Sequence, residues 1–165
     1  YQRPKMVAYQ TEIMDCPHRF SVIEASTKSS KTAGMIIWLL EQALKLKNNQ
    51  SVFWVAPVFA QAKIAFDRMK AQISVKNFFT INETRLTLTL PTGAIIEFKS
   101  GDNPDTLYGN DCYAAVIDEA SRMKEESWIA IRSTLTATGG KCKLIGNVKG
   151  KKNYFLIRAK HKIYY

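Results

Sequence analysis

One segment constrains the fold of this chain more than any other. In it a short apolar run, a polar loop and a long run of helical periodicity follow one another directly. The apolar run occupies 20–23, the loop occupies 25–32 with the sequence Ala-Ser-Thr-Lys-Ser-Ser-Lys-Thr, and the periodic run occupies 31–47. This order predicts a buried strand, a tight turn and a helix. The loop matches the phosphate-binding pattern G-x-x-x-x-G-K-[ST] at every fixed position except the two glycines.

The loop predicts an anion site because its backbone N–H groups would point into one concavity at the start of a helix. Lys31 would reach the β- and γ-phosphates of a nucleotide, and the hydroxyl of Thr32 would bind Mg²⁺. Ala25 and Ser30 replace the usual glycines, which tolerate unusual backbone angles because they lack a Cβ. A Ser/Thr-rich turn that only caps a helix is the alternative. The predicted nucleotide-binding residues of the loop are Ser26, Thr27, Lys28, Ser29, Ser30, Lys31 and Thr32.

A second motif, Val116-Ile117-Asp118-Glu119, is an apolar run that ends in two carboxylates. An aspartate at the carboxyl end of a buried strand points into the crevice where α/β sheets bind ligands. Asp118 is therefore predicted to bind magnesium through a coordinated water, and Glu119 to polarise the attacking water. An Asp-Glu pair that merely begins a helix is the alternative. With the upstream loop, the pair predicts ATP hydrolysis with Glu119 and Lys31 as catalytic residues.

The remaining pattern alternates strands with helices. Further buried strands are predicted at 52–55, 113–117 and 143–145, and helices at 60–73 and 125–138. Between them, alternating Leu and Thr followed by a Pro-Thr-Gly turn predicts an antiparallel hairpin within 78–98. The fold class is therefore α/β, with a mainly parallel sheet between helices. The length predicts one domain spanning 1–165, although the missing initial Met suggests a piece of a longer protein.

Charge is distributed unevenly along the chain. The net charge is +10, and no acidic residue follows Glu126. The last 25 residues hold eight basic residues interleaved with aromatic ones, a composition typical of nucleic-acid contacts. A solvated basic face, or an interface exposed by truncation, is the alternative. The predicted DNA-binding residues are Lys149, Lys151 and Lys152, and the cluster also includes Lys141, Lys143, Arg158, Lys160 and Lys162.

Other site classes find little support in the composition. Cys16, Cys112 and Cys142 lack metal-ligand or disulfide spacing, which favours a reducing compartment. The longest apolar run, 35–40, is far too short to span a bilayer, so no membrane association is predicted.

The ordered motifs resemble the ATPase domain of the large terminase subunit, the DNA-packaging motor of tailed bacteriophages. The resemblance covers about 9–150. The segments that carry it are Tyr9-Gln10, the loop with Lys28, Val55-Ala56-Pro57 followed by Gln61, the hairpin with Gly93, Asn103-Pro104, Leu107-Tyr108-Gly109, Asp118-Glu119, and 146–150.

The resemblance implies a P-loop NTPase of the additional-strand type, with the catalytic glutamate on the strand beside the loop and an inserted hairpin. It implies that Tyr9 and Gln10 bind adenine, and that Gly146 and Asn147 couple hydrolysis to movement. Gln10 on the exposed face of a short helix is the alternative. ATP and Mg²⁺ are the implied cofactors.

The implied partners are double-stranded DNA, a homo-oligomeric ring (a pentamer) on the portal, and the small terminase subunit, in the cytoplasm of the infected host. The family's C-terminal nuclease domain is expected to be absent from this chain.

One expected charge is missing from the resembling motifs. Tyr108 stands where the family often has an arginine that acts on a neighbouring subunit's ATP. Arg122 or Lys28 would have to supply that charge, and a plain surface role for Arg122 is the alternative. Two other functions stay open: another P-loop translocase or helicase, and a degenerate nucleotide- or DNA-binding module without turnover.

Overall fold

An eight-stranded sheet organises the part of the chain that the computed structural model describes. That part comprises 1–24, 31–73, 75–146 and, for the backbone alone, 162–164. The strands occur in the order β3-β4-β5-β2-β6-β7-β1-β8. Their bounds are β1 Phe20–Glu24, β2 Ser51–Ala56, β3 Thr80–Asn82, β4 Thr87–Thr89, β5 Ile95–Ser100, β6 Cys112–Ile117, β7 Lys141–Gly146 and β8 Lys162–Tyr164.

Helices cover both faces of the sheet, as predicted. They are α1 Ala8–Asp15, α2 Lys31–Leu44, α3 Phe59–Gln72 and α4 Glu125–Thr136, with short 3₁₀ turns at Pro104–Leu107 and Ala120–Arg122. One core cluster joins α1, α2 and α3 to the sheet, and a second joins α4 to its opposite face. None of the described helices has both the length and the apolar character needed to cross a membrane.

The central strands are parallel and the hairpin is antiparallel. All six residues of β2 are buried, which is why that strand reads as an unbroken apolar run. β2 pairs in parallel with β5 and β6, and β7 pairs in parallel with β6 and β1. β4 pairs antiparallel with β5 through a turn in which Gly93 has φ +81°, as the hairpin motif requires.

The strand order corrects the expectation that the catalytic glutamate follows the strand beside the loop. Glu119 follows β6, and β7 lies between β6 and β1, the strand that precedes the loop. Sequence pattern cannot reveal this order, since all three strands are similar apolar runs.

Two smaller predictions also require correction, and one strand was not predicted. The helical period predicts Ile64 on the apolar face of its helix, yet its side chain is 51% exposed. The charge pattern includes Lys143 in the polyanion-binding cluster, but this residue is 1% exposed, so it cannot contact DNA in this fold. Strand β3 is absent from the predicted elements because it is short, polar and exposed, and its described sheet pairing is with β4.

Candidate functional site

The carboxyl ends of the parallel strands bring the predicted site residues to one edge of the sheet. Glu24, the last residue of β1, is in register with Gly146 of β7. Asp118 directly follows β6, and its N–H donates to the carbonyl of Val55 across 2.8 Å. Lys31 begins α2 at the same edge. Ligands of open α/β sheets bind at this edge, so the fold places the loop and the carboxylates together.

Asp118 has an environment suited to a cation. Burial raises its pKa from 3.8 to about 6, while the N–H of Glu119, Arg68 and Lys31 act in the opposite direction. Its Oδ1 accepts the N–H of Glu119 across 2.9 Å. A bound cation would stabilise the charge of such a buried carboxylate.

Glu119 is held in a strained and well-defined position. Its backbone has φ +43° and ψ +47°, the left-handed region that non-glycine residues rarely adopt. Its Oε2 accepts a hydrogen bond from Nε2 of Gln61 across 3.2 Å and one from Arg122 across 2.8 Å. The side chain is only 36% exposed. A strained carboxylate fixed by two donors is consistent with a functional role.

Gln61 is the partner of Glu119 that pattern reasoning did not assign to the site. It lies in the first turn of α3, which packs against β2 and β5. Its Oε1 is buried and accepts no hydrogen bond within the described part of the chain. A buried amide oxygen without a donor costs stability, which makes Gln61 a candidate for a functional role. The available sequence signal was its place in the resembling segment, Val55-Ala56-Pro57 followed by Gln61.

Lys31 and Thr32 lie half-buried at the start of α2. Burial lowers the pKa of Lys31, and the charge of Asp118 opposes that shift. The two groups are therefore electrostatically coupled across the site. A lysine and a carboxylate in this arrangement can face a phosphate and its cation respectively.

A crevice beside Lys31 forms the predicted base-binding side. It lies between α1, α2 and the sheet and is narrow, with a cavity volume of about 10 Å³. Its lining residues are Tyr9, Gln10, Ile13, Ile23, Lys31, Gly34, Met35 and Ile145. Gln10 is buried, so the alternative of an exposed surface residue is wrong. Its Oε1 accepts the N–H of Val7 across 3.2 Å, which orients the amide.

Gly146 lies against the turn that carries the catalytic candidates. A Cβ built on Gly146 would come within 4.0 Å of the backbone nitrogen of Ala120, the residue after Glu119. The end of β7 and the Glu119 turn are therefore neighbours. Several predicted site residues lie outside the described residues; they are Ser26, Thr27, Lys28, Ser29, Ser30, Asn147, Lys149, Lys151 and Lys152.

Comparisons with known proteins agree with the fold described above. The family model "Terminase large subunit, ATPase domain" matches residues 11–155. A search of curated proteins gave no significant match. Three solved structures share the fold: the large terminase ATPase domain of Thermus phage P74-26 (21% identity, TM-score 0.77), the large terminase of another thermophilic bacteriophage (14%, 0.81) and that of bacteriophage HK97 (16%, 0.75).

The matches cover most of this chain and less of the relatives. In the same order, they cover 90%, 98% and 90% of this chain, but 67%, 45% and 34% of the three terminase chains. The second of these terminases has also been solved in complex with ADP and with ATP-γ-S. At these identities the structural similarity shows the P-loop NTPase fold, a mostly parallel sheet flanked by helices.

Proposed function

Because this chain belongs to the family of terminase large subunit ATPase domains, we propose that it hydrolyses ATP to drive double-stranded viral DNA into a procapsid. One observation carries the proposal. Lys31 and the Asp118–Glu119 pair, 87 residues apart in sequence at their nearest, lie at the carboxyl edge of the parallel strands, where Lys31 interacts electrostatically with Asp118. Phosphoryl transfer depends mainly on positioning and charge stabilisation, which these groups can provide.

Each residue has a proposed role. Lys31 binds the β- and γ-phosphates, with backbone N–H groups of the loop residues Ser26, Thr27, Lys28, Ser29 and Ser30 around them. Glu119 orients and polarises the attacking water, while Gln61 and Arg122 fix its carboxylate. Gly146 and Asn147 transmit the state of the γ-phosphate, a role favoured by the proximity of Gly146 to the Glu119 turn.

Mg²⁺ fits the donor set at this edge. Asp118 is a partly buried carboxylate with a raised pKa, and Thr32 offers a hydroxyl at the start of α2. Mg²⁺ is commonly bound by one or two carboxylates and completes its shell with substrate phosphates and water. Bound there, Mg²⁺ would neutralise charge on the β- and γ-phosphates.

The wider context is proposed from family membership. The domain acts in a homo-oligomeric ring, a pentamer, on the portal, with the small terminase subunit and in the host cytoplasm. Lys149, Lys151 and Lys152 contact the DNA backbone. Their contribution predicts a log–log salt slope of about −0.9 per phosphate neutralised.

The test compares three variants with the wild type in MgATP calorimetry and phosphate release. E119Q should bind ATP without cleaving it, K31A should lose ATP binding, and E126Q, which alters an exposed carboxylate in the first turn of α4, should behave as wild type. Equal phosphate release by wild type and E119Q would contradict the proposed chemistry. DNA-stimulated hydrolysis with strand separation would instead indicate a helicase.

A further inference from the structure

The structure contains a buried lysine that the proposed chemistry does not use. Lys143 lies in the middle of β7 and is 1% exposed. Lysine is almost never fully buried without a partner, because removing an ammonium from water is costly. Among the described residues no carboxylate forms a salt bridge with it. Burial lowers its pKa to about 8.

The partner of Lys143 is a backbone carbonyl at the end of α1. Its Nζ donates to the carbonyl oxygen of Ile13 across 2.7 Å, between residues 130 apart in the chain. The regular helical donor for that carbonyl would be the N–H of residue 17. Residue 17 is proline, which has no N–H. The ammonium of Lys143 therefore supplies a hydrogen bond that the sequence of α1 cannot.

This contact joins the two walls of the base-side crevice. Ile13 itself lines the crevice, and so does Ile145, which is two residues after Lys143 on the same face of β7. On the other side, the ammonium lies 5.1 Å from the ring centroid of Trp38 in α2, the helix that begins with Lys31. Lys143 thus contacts both helices that enclose the crevice.

We propose that Lys143 is a positioning residue for nucleotide-base recognition: by binding the Ile13 carbonyl it fixes α1, and with it Tyr9 and Gln10, at the distance from Lys31 that a bound nucleotide requires. The inference rests on the proposed function. It assigns Lys143 no contact with the nucleotide. Lys143, which the charge pattern grouped with the basic cluster, therefore has its proposed role on the base side of the nucleotide site.

The experiment separates the base side of the site from the phosphate side. Calorimetry measures the dissociation constants of MgATP and of magnesium tripolyphosphate for wild type, K143M, K143Q and K143R. K141M is the matched control, since Lys141 begins the same strand and is exposed. For K143M and K143Q we expect MgATP affinity to fall about five- to tenfold with tripolyphosphate affinity unchanged. K143R, which retains a cationic donor, should restore most of the MgATP affinity.

A merely structural role gives a different result. If K143M and K143Q weaken both ligands equally, or neither ligand, the proposal is overturned. Should K143M not fold, K143Q decides, because its amide keeps a polar group at this position but is one bond too short to replace the hydrogen bond to the Ile13 carbonyl. A double-mutant cycle with Q10A adds a second criterion: additive losses of MgATP affinity would also contradict action through α1. If the wild-type protein binds neither MgATP nor magnesium tripolyphosphate, the proposed function itself is contradicted.

Discussion

The side-chain amide of Gln61 donates a hydrogen bond to Oε2 of Glu119 across 3.2 Å, joining the first turn of α3 to the turn after β6. The two residues are 58 apart in the chain. The same oxygen accepts from Arg122, so one carboxylate oxygen has two donors on different elements. This arrangement defines where the proposed water-polarising group is held.

Replacing Gln61 should separate catalysis from stability. Q61L removes both the donor to Glu119 and a buried amide oxygen without a partner. We expect a roughly 10- to 100-fold loss in kcat, because a misplaced catalytic group is costly. The free energy of unfolding should stay unchanged or rise, since an unsatisfied buried acceptor is removed. Steady-state phosphate release and urea unfolding measure the two effects, with exposed Gln72→Leu as the control.

Arg122 should have a modest effect in the isolated domain. Its side chain is 60% exposed and pairs with Glu119 of the same chain. Exposed ion pairs contribute about 0.2–1 kcal/mol, so R122Q should change kcat by no more than about fivefold. The measurement is ATP turnover over a range of protein concentrations. A loss of about a thousandfold or more would support the arginine-finger prediction for Arg122 instead.

Asp118 should make stability depend on pH in the absence of metal. Its pKa is about 6 in the folded protein against 3.8 ordinarily, so the folded state binds the extra proton between those values. The contribution of Asp118 to the free energy of unfolding is therefore largest below about pH 4. It decreases as the pH rises through about 6 and is constant at higher pH. D118N removes the charge and keeps an acceptor for the N–H of Glu119.

The D118N variant should accordingly be about 2–3 kcal/mol more stable than wild type at pH 8, and equally stable near pH 4. Denaturant unfolding at the two pH values, with EDTA present, measures the difference. An equal gain at both pH values would show that ionisation of Asp118 is not the cause.

The left-handed backbone at Glu119 predicts that glycine is more stabilising than alanine at this position. With φ +43°, a Cβ is unfavourable at this position, whereas glycine adopts such angles readily. E119G should therefore be about 1 kcal/mol more stable than E119A, although glycine usually destabilises relative to alanine. Both variants should lack ATP hydrolysis, so unfolding measurements carry the comparison. An E119A variant as stable as E119G would mean that the turn relaxes out of the left-handed region.

Local features of the sequence were sufficient for the fold class and for the choice of the candidate site residues. The apolar runs of β2 and β6, the helical period of α2 and the residue types of Lys31, Asp118 and Glu119 are all readable within short windows. Because parallel strands end at one edge, these signals also predicted that loop and carboxylates meet. The exposed strand β3 was missed since an edge strand can be held by backbone pairing alone.

The sequence by itself determined which residue types could bind and cleave a nucleotide, because chemistry and periodicity are local properties. Only the tertiary structure decided that β7 separates β6 from β1, that Gln61 holds Glu119, and that Lys143 binds the Ile13 carbonyl. The physical reason is that strand pairing and burial join segments up to 140 residues apart. From the sequence alone, a lysine in a basic run is predicted to lie on the surface, whereas the structure shows that Lys143 is buried.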